Sequence, residues 1–192
     1  MDLRPLLNKL DEKTQSGKEF YVIAIDGKAG SGKTTIATEL STMLDASIIH
    51  MDDFFLLPEL RTKERLEEAG GNVHYERFIE EVVKPLKKNS LKDGFSYRIF
   101  DCSKLDYNGL NYVKPSKFYI VEGSYSCHSK FLDYADLRVF IDVDERTQMQ
   151  RIINRNGEEK AKQFKERWIP MEEKYFTAMQ IKQKADVVIF NC

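Results

Sequence analysis

The chain has 192 residues, enough for one well-buried α/β core with a small insertion. Hydrophobic residues make up 42% and charged residues 32%, and the formal net charge of −1 offers no bulk attraction to nucleic acid or to an acidic membrane surface. No apolar run approaches the ~20 residues of a membrane helix, and the first residues lack the basic start and apolar run of a secretion signal.

Leu3, Leu6, Leu7 and Leu10 recur at helical spacing and predict an amphipathic helix over 3–13, broken by Ser16-Gly17. Phe20 to Ile25 is a continuous apolar run rich in β-branched and aromatic residues, the pattern of a strand buried on both faces. A glycine-rich turn follows, then a helix from about Lys33 to Leu44. Four more apolar runs read as strands: Ser47–Met51, Phe118–Val121, Leu137–Ile141 and Asp186–Phe190. Helical patterns over 75–88, about 145–155 and 159–181 separate them, and this alternation predicts a parallel sheet with helices on both faces. Two stretches depart from it. Residues 58–74 are charged and end in Gly70-Gly71-Asn72, which reads as a mobile loop; residues 95–117 carry Asn108-Gly109 between aromatic segments and read as a β-hairpin inserted at the rim. No linker interrupts the pattern, so a single domain over 1–192 is expected. Cys102, Cys127 and Cys192 fit neither a metal-ligand spacing nor a disulfide framework, which suits a reduced, cytoplasmic setting.

Gly27-Lys28-Ala29-Gly30-Ser31-Gly32-Lys33-Thr34 matches G-x-x-x-x-G-K-[ST] in full, between a predicted strand and a predicted helix. Glycines let successive backbone N–H groups converge on phosphate oxygens, and the helix N-terminus adds its dipole. Gly27, Ala29, Gly30, Ser31, Gly32, Lys33, Thr34 and Thr35 are therefore the expected cradle for ATP. Lys33 is placed to reach the β- and γ-phosphates, and Thr34 to offer its hydroxyl to Mg²⁺.

Asp52 and Asp53 follow the second strand at the sheet edge where open α/β folds bind ligands. A phosphoryl acceptor that is an alcohol gains from a carboxylate taking its proton, whereas a phosphate acceptor has no such proton to give. Asp52 is the expected general base, against the plainer reading that the pair caps a turn; Asp53 is read as structural or as a secondary contact. Glu122 ends the third sheet strand, where it could hold water on Mg²⁺ or act on the acceptor side. Trp168 is expected in the core rather than as a stacking platform.

Together the phosphate loop through Thr35, the Asp52-Asp53-Phe54-Phe55 element, Asn72 before the Tyr75–Leu86 helix, Val121-Glu122-Gly123 and the helix bearing Arg151 and Arg155 resemble the uridine kinase family, over roughly residues 20–190. The resemblance implies a P-loop NTPase fold with five parallel strands in the order 2-3-1-4-5, the inserted hairpin, and a helical lid at about 151–167. It implies Asp52 as base on a sugar hydroxyl, with Phe54, Phe55, His74, Glu122 and the hairpin around the acceptor. Arg151 and Arg155 would close on the ATP phosphates, although at i and i+4 they also suit a solvated helix face. The implied partner is a small hydroxyl-bearing acceptor, uridine or cytidine foremost, with neither nucleic acid nor membrane; self-association into a homo-oligomer is left open. The sequence departs from the family at His74, where Asp is usual, at the acidic Asn156–Lys160 segment, and at Lys104, whose surroundings lack the expected hairpin histidine. Relatives acting on pantothenate, nicotinamide riboside or sugar phosphates share the same frame, and a non-catalytic nucleotide switch would share the phosphate loop.

Overall fold

A computed structural model describes residues 2–88 and 92–192. The chain opens with helix α1 (Arg4–Thr14), strand β1 (Tyr21–Gly27), helix α2 (Lys33–Leu44) and strand β2 (Ser47–His50). Short helices α3 (Lys63–Glu67), α4 (Tyr75–Phe78) and α5 (Lys84–Lys87) precede the hairpin strands β3 (Phe95–Asp101) and β4 (Asp106–Val113). Then come β5 (Phe118–Glu122), β6 (Leu137–Asp142), α6 (Glu145–Asn156), α7 (Glu158–Gln163), α8 (Ile169–Met179), α9 (Ile181–Lys184) and β7 (Val187–Phe190).

Among the described residues, five strands form a parallel sheet in the order β2-β5-β1-β6-β7, and β3 pairs with β4 in a separate antiparallel sheet. Leaving the hairpin strands out of the numbering, the sheet runs 2-3-1-4-5. Alternation along β1 divides the core. Ile23 and Ile25 pack beneath α1 and α2 with Leu6, Leu10, Ile36 and Leu40, while Val22 and Ala24 face the opposite layer with Phe78, Tyr175 and Phe176. The expected three-layer α/β/α architecture is thus built on both sides of β1. No helix among the described residues is long and apolar enough to cross a membrane.

Both long helical stretches contain a π-turn: Ile79–Val83 joins α4 to α5, and Phe164–Trp168 joins α7 to α8. Each precedes a proline by two residues, Pro85 and Pro170. A proline ring meets the carbonyl four residues back and supplies no N–H, and the wider turn relieves that conflict without ending the helix.

Two local readings need correction. Residues 58–74 contain α3 and are tied down, rather than forming an open mobile loop. Phe55 bridges Val73, Leu56 N–H donates to Asn72 O, and Arg65 donates to Gly71 O, Val73 O and both carboxylate oxygens of Glu76. Asn108-Gly109 is not the hairpin turn. It lies within β4, where the register passes from Arg98↔Leu110 to Phe100↔Tyr107, so two residues oppose one. Gly109 has φ +93°, and the pair forms a bulge that uses the same left-handed freedom a tight turn would have used.

Candidate active site

A cleft of about 860 Å³ opens at the C-terminal ends of β1, β2 and β5. Its floor is the phosphate loop. Gly27 ends β1 against β6, and a Cβ there would lie 2.1 Å from the Ile141 carbonyl oxygen, so no side chain fits. Gly32 precedes α2 in the left-handed region, with φ +93°, and no side chain caps the helix. The first N–H groups of α2 are therefore left for an anion. Ala29, Gly30, Gly32, Lys33, Thr34 and Thr35 line the cleft, while the Ser31 side chain is buried with its Oγ unpartnered. Lys33 Nζ bends back onto Gly27 O (2.7 Å) and Lys28 O (2.9 Å), holding its charge over the loop. Lys28 is engaged elsewhere, in an ion pair of 2.8 Å with Asp142.

Thr34 and Glu122 lie side by side: the hydroxyl is 3.2 Å from Glu122 Oε2. The other oxygen of Glu122 lies 2.6 Å from His50 Nδ1, and this hydrogen bond raises the His50 pKa against the opposing effect of burial. No cluster of three or more His, Cys, Asp or Glu side chains suited to a metal occurs among the described residues. An all-oxygen pair of one hydroxyl and one carboxylate fits Mg²⁺, which keeps several waters and takes its remaining ligands from phosphate.

Asp52 lies in the short 3₁₀ turn Met51–Phe54 that follows β2 and lines the cleft. Enclosure by the surrounding walls raises its pKa, and the nearby charge of Glu122 raises it further. A carboxylate so placed is a better proton acceptor than one in bulk water. Asp53 is structural: it accepts from Tyr97 Oη at 2.9 Å, and its carbonyl accepts from Arg77.

Phe55 lines the cleft, but Phe54 does not. Phe54 is fully buried against Phe78 and Tyr97, with ring centroids 5.0 Å away in each case. A 3₁₀ turn rotates successive side chains by roughly a third of a circle, so neighbouring phenylalanines face different ways. His74 also lies outside the cleft. It caps α4, its Nδ1 accepting from Arg77 N–H at 3.3 Å, and burial lowers its pKa. Both are corrections to the expected acceptor lining.

Arg151 and Arg155 line the cleft from α6, Arg151 half-buried and Arg155 exposed. Arg151 Nη1 reaches Gly30 O (3.4 Å) and Asn191 O (3.3 Å); Arg155 Nε donates to Asn156 Oδ1 at 2.8 Å. Trp168, expected in the core, is half-buried on the same wall beside Arg167.

Sequence reasoning missed three groups. Asp26, fully buried at the end of β1, accepts from the N–H groups of Gly27, Tyr125 and Cys127 and from Tyr175 Oη. Burial raises its pKa against those bonds. A lone Asp closing an apolar run was its only signal. Glu172 of α8 and Gln148 of α6 hold one residue of the phosphate loop through its two flanking peptides: Glu172 Oε2 accepts from Ala29 N–H at 2.9 Å, and Gln148 Nε2 donates to Ala29 O at 3.1 Å. Glu172 Oε1 also accepts from Ser124 Oγ at 2.7 Å. No local pattern marks either residue. Third, Arg61, Asn72, Phe100, Cys102, Leu105 and Tyr125 complete the wall around Asp52.

Residues 22–190 match the model of the Phosphoribulokinase / Uridine kinase family. A uridine-cytidine kinase-like 1 protein of Mus musculus is 29% identical over 164 residues, covering 78% of this chain but 28% of the mouse protein, so the chain spans under a third of that relative. A uridine kinase of Staphylococcus aureus strain JH9 is 26% identical over 152 residues, covering 76% of this chain and 72% of the relative. In fold, the chain is similar to a structure described as a possible uridine kinase from Bacillus stearothermophilus, with TM-score 0.66, 21% identity and coverage of 96% and 98%. It is also similar to a putative fructose transport system kinase from Silicibacter sp. TM1040, with TM-score 0.72, 19% identity and 98% coverage of both chains. With the family model spanning β1 to β7 and the phosphate loop seated as that fold requires, the chain belongs to the Phosphoribulokinase / Uridine kinase family.

Proposed function

We propose that this protein is an ATP-dependent phosphotransferase that carries the γ-phosphate to the hydroxyl of a small molecule. One observation carries the reading: Asp52 shares a single cleft with Lys33 and Thr34 of the phosphate loop and with Arg151 and Arg155 opposite. The α2 N-terminus and Lys33 would bind the triphosphate. Thr34 and Glu122 would hold Mg²⁺, which neutralises charge on the phosphate oxygens when bound. Asp52 would take the acceptor's hydroxyl proton as the new O–P bond forms and the β–γ bridge breaks to release ADP. Arg151 and Arg155 would offset charge on the moving phosphoryl group.

Uridine and cytidine are the acceptors that the relatives' names support. A second reading, an alcohol that is not a ribonucleoside, is favoured by His74, which is spent on capping α4 instead of facing the acceptor. The test is ADP release from MgATP across uridine, cytidine, other nucleosides, pantothenate and sugar phosphates. Asp52→Asn is expected to lower kcat by about 10²- to 10⁴-fold while leaving ATP affinity unchanged. Nucleotide binding with no acceptor-dependent ADP release, or an Asp52→Asn protein of undiminished turnover, would sink the proposal.

A further inference from the structure

Four arginines lie in the acceptor half of the molecule, and they are spent differently; Arg98 of the hairpin is paired with Glu81. Arg65 places its guanidinium on Gly71 O, Val73 O and the Glu76 carboxylate. Arg77 is buried, and donates to Asp53 O, to Arg98 O at 2.7 Å and to Glu81 at 3.1 Å. Arg61 differs. Its Nε donates to Leu56 O at 2.9 Å, which fixes the base of the guanidinium, while Nη1 and Nη2 are reached by solvent and have no hydrogen-bond or ion-pair partner among the described residues. The group is half-buried in the cleft wall with its Cζ 5.8 Å from the centre of the Phe100 ring.

Position puts this charge on the hairpin side of the cleft. Arg61 touches the hairpin through Phe100, and Asp52 and Arg61 both influence the neighbouring Cys102 thiol. The lid cations Arg151, Arg155 and Arg167 belong to the other wall, on α6 and the turn before α8. A guanidinium with its stem tethered and its fork unspent is preorganised for an oxyanion, since two parallel N–H bonds match a carboxylate or a phosphate. Phe55, Phe100 and Leu105 give this wall an apolar surface, Asn72, Cys102 and Tyr125 are its uncharged polar members, and its one carboxylate is Asp52; Glu122 and Glu172 line the cleft from the phosphate-loop side.

We infer that the acceptor is an anionic alcohol: a molecule presenting its hydroxyl to Asp52 and a carboxylate or phosphate group to Arg61. The inference rests on the hydroxyl-kinase reading and decides between its two acceptor classes. It makes Arg61 a specificity residue and accounts for a site in which the ribose-facing position has become a helix cap.

The test compares matched acceptors on the intact protein with MgATP: pantothenate against pantothenol for carboxylates, ribulose 5-phosphate against ribulose and fructose 6-phosphate against fructose for phosphates, with uridine and cytidine as neutral nucleosides. The charged member of one pair is expected to exceed its neutral partner by about 10- to 100-fold in kcat/KM, and the pair identifies the anion. Arg61→Ala is expected to erase that preference by raising the acceptor KM, with Arg61→Lys restoring part of it and the KM for MgATP moving less than about twofold. Uridine or a neutral partner serving as well as the anions overturns the inference while leaving the kinase reading intact. So does an Arg61→Ala defect that falls equally on charged and neutral acceptors, or on MgATP alone. If no compound draws ADP release although MgATP binds, the kinase reading fails. The inference is then judged by melting of the ADP-loaded protein, where the absence of any Arg61-dependent shift with the anions overturns it separately.

Discussion

Glu172 allows a test of whether geometry or charge holds the phosphate loop. Its carboxylate is buried on α8, accepts from Ala29 N–H and Ser124 Oγ, and has its pKa raised by burial, with Lys33 opposing. Replacement by alanine leaves the Ala29 amide without its acceptor. Two bonds to a charged acceptor are worth about 1.5–3 kcal/mol each, but the carboxylate already bears a desolvation cost. The net loss should be about 2 kcal/mol, or roughly 4–8 °C in Tm for a chain of this size. Glutamine is expected to behave quite differently. Its oxygen can accept from Ala29 N–H while its amide donates to Ser124 Oγ, whose own proton turns to Gly27 O, already 3.2 Å away. Glu172→Gln should therefore lie within about 0.5 kcal/mol of the parent and keep most of its turnover, whereas Glu172→Ala should also lose about 10- to 100-fold in kcat as the loop loosens. Thermal melts and ADP-release kinetics on both variants decide the matter. If glutamine proves as damaging as alanine, the carboxylate's charge is what matters and the reasoning from hydrogen-bond geometry is wrong.

Other outcomes follow from the same structure. Lys33→Ala should lower kcat by about 10²- to 10³-fold with little change in Tm, since the side chain holds only two loop carbonyls; near-normal turnover would remove Lys33 from the reaction. His50 has a raised pKa in the folded state, so its contribution to stability is complete below the ordinary histidine range and is lost as pH rises through the folded value. The Tm advantage of the parent over His50→Gln should accordingly shrink with rising pH across neutrality, and an advantage that grows would contradict the His50–Glu122 pairing. Arg77→Lys should cost about 2–4 kcal/mol in denaturant unfolding, because a single ammonium cannot serve Asp53 O, Arg98 O and Glu81 while stacking 4.2 Å from the centre of Phe54. A change below about 0.5 kcal/mol would show that the hairpin is not anchored through Arg77.

The features legible in the sequence are local ones. The strands announced themselves as continuous apolar runs because both faces of a parallel sheet are covered. The phosphate loop was legible because its function depends on backbone geometry that glycine spacing encodes directly. Asp52 and Glu122 were legible for a related reason: strand ends of an open α/β sheet converge on one edge, so a carboxylate's place in the sequence approximates its place in space. Where the reading failed, two local solutions were open and packing chose between them. Asn108-Gly109 suits a turn or a bulge, and pairing with β3 made it a bulge. Phe54 and Phe55 are equal as sequence, but only one fits the space beside Phe78 and Tyr97.

Other features had no local signal at all. Glu172 meets Ala29 across 143 residues, and Gln148 meets it across 119, contacts that exist only once α6 and α8 close over β1. Arg61 and Arg65 look alike in a charged stretch; the fold surrounds one with carbonyls and a carboxylate and leaves the other's fork in the cleft. The sequence by itself thus determined the sheet, the phosphate loop and the two strand-end carboxylates, because periodicity and backbone propensity act over a few residues. The clamp on Ala29, the withdrawal of Phe54 and His74, and the unspent charge of Arg61 were decided by tertiary structure, because burial and hydrogen-bond satisfaction depend on neighbours distant in the chain.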